Sequence, residues 1–189
     1  MTHSEPASIV VGTGASAREI KVLRDTGSAP GIFWLSGFKS DMAGTKAVAL
    51  SDWAREHGRA CTRFDYSGHG VSGGAFEEGT ISRWTEEALA VFNRFCREPT
   101  IIVGSSMGGW IALLVARALR RSGQADRLNG MVLIAPAPDF TLVDTHGMTR
   151  AIEMTGIGRT ALLGILGRGA CLSGTAALVR EFVRQRAAA

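Results

Sequence analysis

Cysteine is scarce in this chain: 189 residues contain three, Cys61, Cys96 and Cys171. An odd and widely spaced set builds no disulfide framework and suits a reducing compartment. Without a Cys-x-x-Cys pair or a His-rich spacing, no metal site is expected, and the three thiols read as small buried hydrophobes. Histidine is almost as rare, at four: His3, His57, His69 and His146. Long apolar runs are missing as well. No stretch approaches the ~18 residues of a membrane span, and Met1-Thr2-His3-Ser4-Glu5-Pro6 has neither the basic start nor the apolar stretch of a secretory signal. The expectation is a cytoplasmic protein without a membrane partner. Concentrated charge is absent too. The net charge is +4, but Lys and Arg are interspersed with acids until the C-terminal segment, so no basic stripe offers a nucleic-acid surface.

What the chain does have is apolar content of 46% against 20% charged residues, the balance of an ordinary globule, and a length that suits one domain over residues 1–189. Ile20-Lys21-Val22-Leu23 alternates as a strand and is closed by the turn-like Asp25-Thr26-Gly27. Gly31-Ile32-Phe33-Trp34-Leu35 is a continuous apolar run, as in a strand buried on both faces. Residues 45–57 read as a helix, with Ala47, Leu50, Trp53 and Ala54 at helical spacing and Gly58 closing it. Residues 61–65 form the next strand. After a glycine-rich loop, Ile81, Trp84, Ala88, Phe92 and Phe95 mark one helical face, with Thr80 as its N-cap. A strand from Thr100, a helix over 107–121 and a strand over 131–135 follow. Alternating buried strands and helices predict an α/β fold, a mostly parallel β-sheet with helices on both faces and ligands at the carboxyl ends of its strands.

One junction carries chemistry. Gly104-Ser105-Ser106-Met107-Gly108-Gly109-Trp110 places GxSxG between an apolar strand and a helix, the setting of a nucleophile elbow with Ser106 at its tip. Such a serine stands on a sharp turn with strained backbone angles, so Gly104 and Gly108 remove the Cβ atoms that would collide there. Gly109 extends the clearance into the first helical turn. The Met107 N–H at the helix start would face a developing oxyanion, reinforced by the helix dipole. A second donor is expected from the Phe38 N–H, in the Ser36-Gly37-Phe38 turn after the preceding strand. A second GxSxG, Gly70-Val71-Ser72-Gly73-Gly74, has no strand immediately before it and no helix directly after, so Ser72 reads as a loop residue. Gly12-Thr13-Gly14-Ala15-Ser16-Ala17 matches a dinucleotide fingerprint but is followed by an extended segment and Pro30, which excludes a nucleotide cofactor.

Residues 35–47, 63–74 and 104–110, in that order, resemble the α/β-hydrolase superfamily. Within it they resemble the branch of the acyl-glucuronide esterase and palmitoyl-protein thioesterase and its bacterial relatives. The likeness runs over about residues 20–139, with an echo at 150–156 and an atypical cap or tail over 140–189. It implies Ser106 as nucleophile, the Phe38 and Met107 amides as oxyanion hole, no cofactor, and a small-molecule ester or thioester as substrate. The family's acid and histidine follow later strands, and neither position is recognisable in this sequence. Asp139 sits where some relatives carry the acid, and His146 and His69 are the candidates for the base. The segment 157–189 is rich in Gly, Ala and Arg with Glu181 its sole acid, as an out-of-frame reading of a GC-rich gene would be. The expectation is a hydrolase core lacking the last strands, truncated by a frameshift, with a terminal helix over 175–186 as the plainer reading. Two functions follow: a serine ester or thioester hydrolase, or a catalytically inactive protein that keeps the pocket and binds. A sheet stopped early also exposes an edge, through which a second chain could pair and supply the missing base.

Overall fold

The computed structural model describes residues 4–136. Asp139, His146, His3, Cys171 and the tail from residue 157 lie outside the described residues. Strands β1 (Glu5–Val11) and β2 (Arg18–Asp25) form an antiparallel hairpin, in register from Glu5 opposite Arg24 to Val11 opposite Arg18. The glycine fingerprint lies in the turn between them, as a single 3-10 turn at Gly14–Ser16 that leads into a strand and not a helix. Then come β3 (Ser28–Leu35), α1 (Thr45–Glu56), β4 (Arg59–Phe64), α2 (Ile81–Phe95), β5 (Thr100–Ser105), α3 (Met107–Arg121) and β6 (Leu128–Ile134).

The six strands form one sheet in the order β1-β2-β4-β3-β5-β6. β4, β3, β5 and β6 are parallel, and β2 joins β4 antiparallel. The expected α/β class therefore holds, with an antiparallel hairpin added at one edge. The chain passes from β3 to β4 on one side and returns to β5 on the other, so β3 and β5 meet at the switch point where the sheet opens a crevice.

Alternation along the central strands divides the core in two. Phe33 and Leu35 face the cluster that holds Val91 and Phe92 of α2 and Ile111 and Val115 of α3, whereas Ile32 and Trp34 face Ala47, Leu50 and Trp53 of α1. Phe33 stacks on Phe64 at 5.6 Å and meets the edge of Phe92 at 5.5 Å. The Thr80 hydroxyl accepts the Arg83 N–H at 3.1 Å, so the expected N-cap starts α2. Cys61 and Cys96 are buried free thiols, and burial pushes both up to about 12. Among the described residues no helix is long and apolar enough to cross a membrane, and no group of three His, Cys, Asp or Glu residues is arranged to hold a metal ion.

One buried charge pair ties the hairpin to the helical layer. Arg18 donates to Glu87 at 2.5 Å and to Glu86 at 2.7 Å, and the second Glu87 oxygen accepts the Ser67 N–H at 2.9 Å. The loop after β4 is thereby fastened to α2 directly below the carboxyl ends of the strands.

Candidate active site

Ser106 joins β5 to α3 with φ +53° and ψ −118°, a conformation that costs a residue with a Cβ about 1–3 kcal/mol and persists only where the surroundings impose it. The surroundings are backbone. A Cβ on Gly104 would lie 2.4 Å from the Gly108 carbonyl oxygen, and one on Gly108 would lie 2.1 Å from the Leu35 oxygen. A Cβ on Gly109 would lie 2.7 Å from Pro136 Cβ. The Ser106 N–H donates to Ile134 O at 2.9 Å, and Ser106 O accepts the Gly109 N–H at 2.9 Å, so the turn is pinned to the end of β6 on one side and to α3 on the other. Met107 buries its side chain completely, and its N–H belongs to the first helical turn, whose amides have no partner within the helix.

The loop after β3 lies against this turn. A Cβ on Gly37 would be 3.5 Å from Ser106 Cβ and 3.3 Å from Ser105 O, which places the Gly37–Phe38 peptide beside the elbow. Phe38 is 47% exposed, and its ring meets Phe76 edge-on at 5.1 Å. A cavity of about 210 Å³ opens next to Ser105, between the end of β3 and the start of α1, lined by Trp34, Ser36, Gly37 and Asp41. A larger one, about 390 Å³, lies at the other end of the sheet, where β3, β4 and β5 begin.

Two residues to which sequence reasoning gave no role in the site hold these loops together. Asp65, at the end of β4, accepts the Met42 N–H at 2.6 Å with one carboxylate oxygen and the Val71 N–H at 2.9 Å with the other. Burial raises its carboxyl above the ordinary value, against the opposing pull of the Val71 and Met42 amides. Ser72, the serine of the second GxSxG, accepts the Lys21 N–H at 2.8 Å and donates to Asp65 O at 2.7 Å. Its hydroxyl is a brace for the loop. The available signal was a strand-end aspartate followed by glycines, which periodicity does not register.

Of the histidines within the described residues, neither presents a lone pair to Ser106. His69 is 4% exposed, with Nδ1 3.2 Å from Ser67 O and Nε2 accepting the Lys39 N–H at 3.3 Å. His57 ends α1, its Nδ1 2.8 Å from Trp53 O, at the end of the fold where Gly58 O accepts the Ser28 N–H.

A serine strained between a parallel strand and a helix, at the switch point of a sheet ordered 1-2-4-3-5-6, defines the core of an α/β-hydrolase. The comparisons agree. The chain belongs to the family described as "Serine aminopeptidase, S33", whose model matches residues 32–159. It is 37% identical over 136 residues to the human palmitoyl-protein thioesterase ABHD10, mitochondrial, a match covering 69% of this chain and 42% of that protein. Among solved structures, a protein of Agrobacterium vitis S4 provisionally classed as a hydrolase is 48% identical, with a TM-score of 0.69 over 79% of this chain and 61% of that one. Mouse alpha/beta hydrolase domain-containing protein 10 is 30% identical, with a TM-score of 0.63 over 79% of this chain and 59% of that one. The chain thus spans less than half the length of the curated relatives it matches.

Proposed function

We propose that this protein is a serine hydrolase of carboxylic esters or thioesters with Ser106 as nucleophile. The single observation that carries the reading is the backbone of Ser106, held at φ +53° by glycines whose Cβ atoms would strike backbone oxygens. No packing role requires such strain, and exposing a hydroxyl at a strand–helix turn does. Ser106 Oγ attacks the acyl carbonyl, the Met107 and Phe38 amides stabilise the oxyanion, the alcohol or thiol departs with a proton, and water releases the acyl group from the serine. The resemblance to the palmitoyl-protein thioesterases favours an acyl thioester among small substrates. No cofactor enters this chemistry.

The competing reading is an inactive protein that retains the fold and binds. It draws support from the two described histidines, since both are engaged by backbone groups and a serine without a base loses several orders of magnitude in rate. Hydrolysis of short-chain acyl thioesters and p-nitrophenyl esters by the purified chain, beside Ser106→Ala, separates the two. Turnover abolished in the variant supports the hydrolase, and equal rates for both proteins refute it. Specific activity that rises with protein concentration would indicate that a second copy completes the site.

A further inference from the structure

His69 occupies a cage that fixes its ring in place. Its centroid lies 5.1 Å from Trp84, 5.2 Å from Phe76 and 5.8 Å from Tyr66, each ring set edge-to-face. A carbonyl has no proton to give, so Nδ1 must donate to Ser67 O; an amide N–H has no lone pair, so Nε2 must accept from Lys39. The two contacts define a neutral imidazole protonated at Nδ1.

The amide that His69 accepts belongs to a strained turn. Ser40 N–H donates to Gly37 O at 3.1 Å, closing a turn over residues 37–40, and Lys39 sits at its third position with φ +54°. That position favours glycine, and a residue that carries a Cβ is strained there. Lys39 is the only non-glycine residue with positive φ in this loop. Something must hold it, and the acceptor facing its N–H is His69.

We propose that His69 is a positioning residue for the oxyanion hole: by accepting the Lys39 N–H it locks the 37–40 turn, and with it the Phe38 amide, against Ser106. The assignment rests on the reading of Ser106 as nucleophile. It gives His69 a role distinct from general base, because the lone pair a base would use is spent on Lys39. Asp65 holds the far end of the same loop through Met42, so the loop is clamped at both ends by side chains of the segment after β4.

The test uses the full chain. Long-range 1H–15N spectra of the wild-type imidazole near neutral pH are expected to show Nδ1 protonated and Nε2 bare; the opposite tautomer overturns the proposal. Two variants then divide the contacts. In His69→Gln the side-chain oxygen reaches the Nε2 position and can accept from Lys39, whereas His69→Asn keeps only the Nδ1 position. His69→Asn is expected to slow fluorophosphonate labelling of Ser106 by about tenfold or more, because a displacement on the order of 1 Å costs up to about a hundredfold. His69→Gln is expected to recover to within about threefold of wild type, as the oxyanion donor itself is untouched. Equal rates in all three proteins, or equal losses in both variants, would overturn the proposal. If wild type takes no label at Ser106, the nucleophile reading fails on its own. Amide exchange at Lys39 then decides the positioning role: faster exchange in His69→Asn but not in His69→Gln supports it, and no difference overturns it.

Discussion

Replacing Gly108 by alanine separates two physical arguments that have opposite signs. Gly108 is the second residue of α3. On helix propensity alone the substitution should stabilise the protein by up to about 1 kcal/mol, since glycine is the poorer helix former. The contacts demand the reverse. The new Cβ would lie 2.1 Å from Leu35 O and 2.6 Å from Ser36 O, both backbone atoms at the end of a central strand. To reach ordinary contact, β3 and α3 must separate by roughly 1.3 Å, and overpacking of that kind costs about 1–3 kcal/mol or more. Set against a propensity gain of up to about 1 kcal/mol, that cost leaves an expected net loss of about 1–2 kcal/mol in urea unfolding. The same separation parts the Met107 amide, carried by α3, from the loop that carries Phe38. Fluorophosphonate labelling of Ser106 should fall by about a hundredfold. Gly123→Ala is the control, because Gly123 has φ +73° and no atom within 4 Å of its would-be Cβ, so it feels strain without a collision. A Gly108→Ala protein as stable as wild type and labelled at the wild-type rate would refute the account of the elbow.

The buried charge pair and the Asp25 cluster yield two further expectations. Arg18→Met leaves the fully buried Glu87 carboxylate with the Ser67 amide and no cation, so urea unfolding should show a loss of about 3–5 kcal/mol, partly recovered in the Arg18→Met/Glu87→Gln double variant; a loss under about 1 kcal/mol would contradict the role assigned to the pair. Asp25 is pulled in two directions, and although burial acts to raise its carboxyl, hydrogen bonds from Ser51, Ser4 and Arg55 prevail and hold it below the ordinary value. A carboxyl whose folded value is depressed adds stability above its unfolded value and loses it as pH falls through the folded one. Asp25→Asn should therefore lower stability at neutral pH and flatten the acid limb of the stability–pH curve, and curves that run parallel across the acid range would exclude Asp25 as a contributor.

The elements that could be read from the sequence are those whose signal is local. The elbow glycines, the helix from Met107 to Arg121 and the Thr80 cap each announce themselves within a few residues, and the structure places them at those positions. The β1 strand does not. Glu5-Pro6-Ala7-Ser8 is exposed or half-buried at the sheet edge and lacks an apolar period, and its strand conformation comes from seven paired residues of β2. The start of β6 is hidden for the same reason: Leu128-Asn129-Gly130 carries no continuous apolar run yet pairs with the beginning of β5, so the strand begins three residues before the expected 131. The site divides in the same way. Ser106 follows from its neighbours in sequence, whereas the Arg18–Glu87 pair spans 69 positions and the His69–Lys39 contact spans 30. The Asp65 and Ser72 braces consist of side chains bonded to backbone groups of other loops, and no spacing rule encodes them. Asp139, His146 and the segment 157–189, on which the expectations of an acid, one candidate base and a frameshift rested, lie outside the described residues, whereas His69, the other candidate base, lies within them with both ring nitrogens engaged.

The most direct test of the central claim is the intact mass of the purified, folded protein after incubation with a fluorophosphonate, beside Ser106→Ala. One adduct per wild-type chain and none on the variant are expected. A folded wild-type protein that takes no adduct, or a variant labelled as readily as wild type, would contradict the assignment of Ser106 as an activated nucleophile.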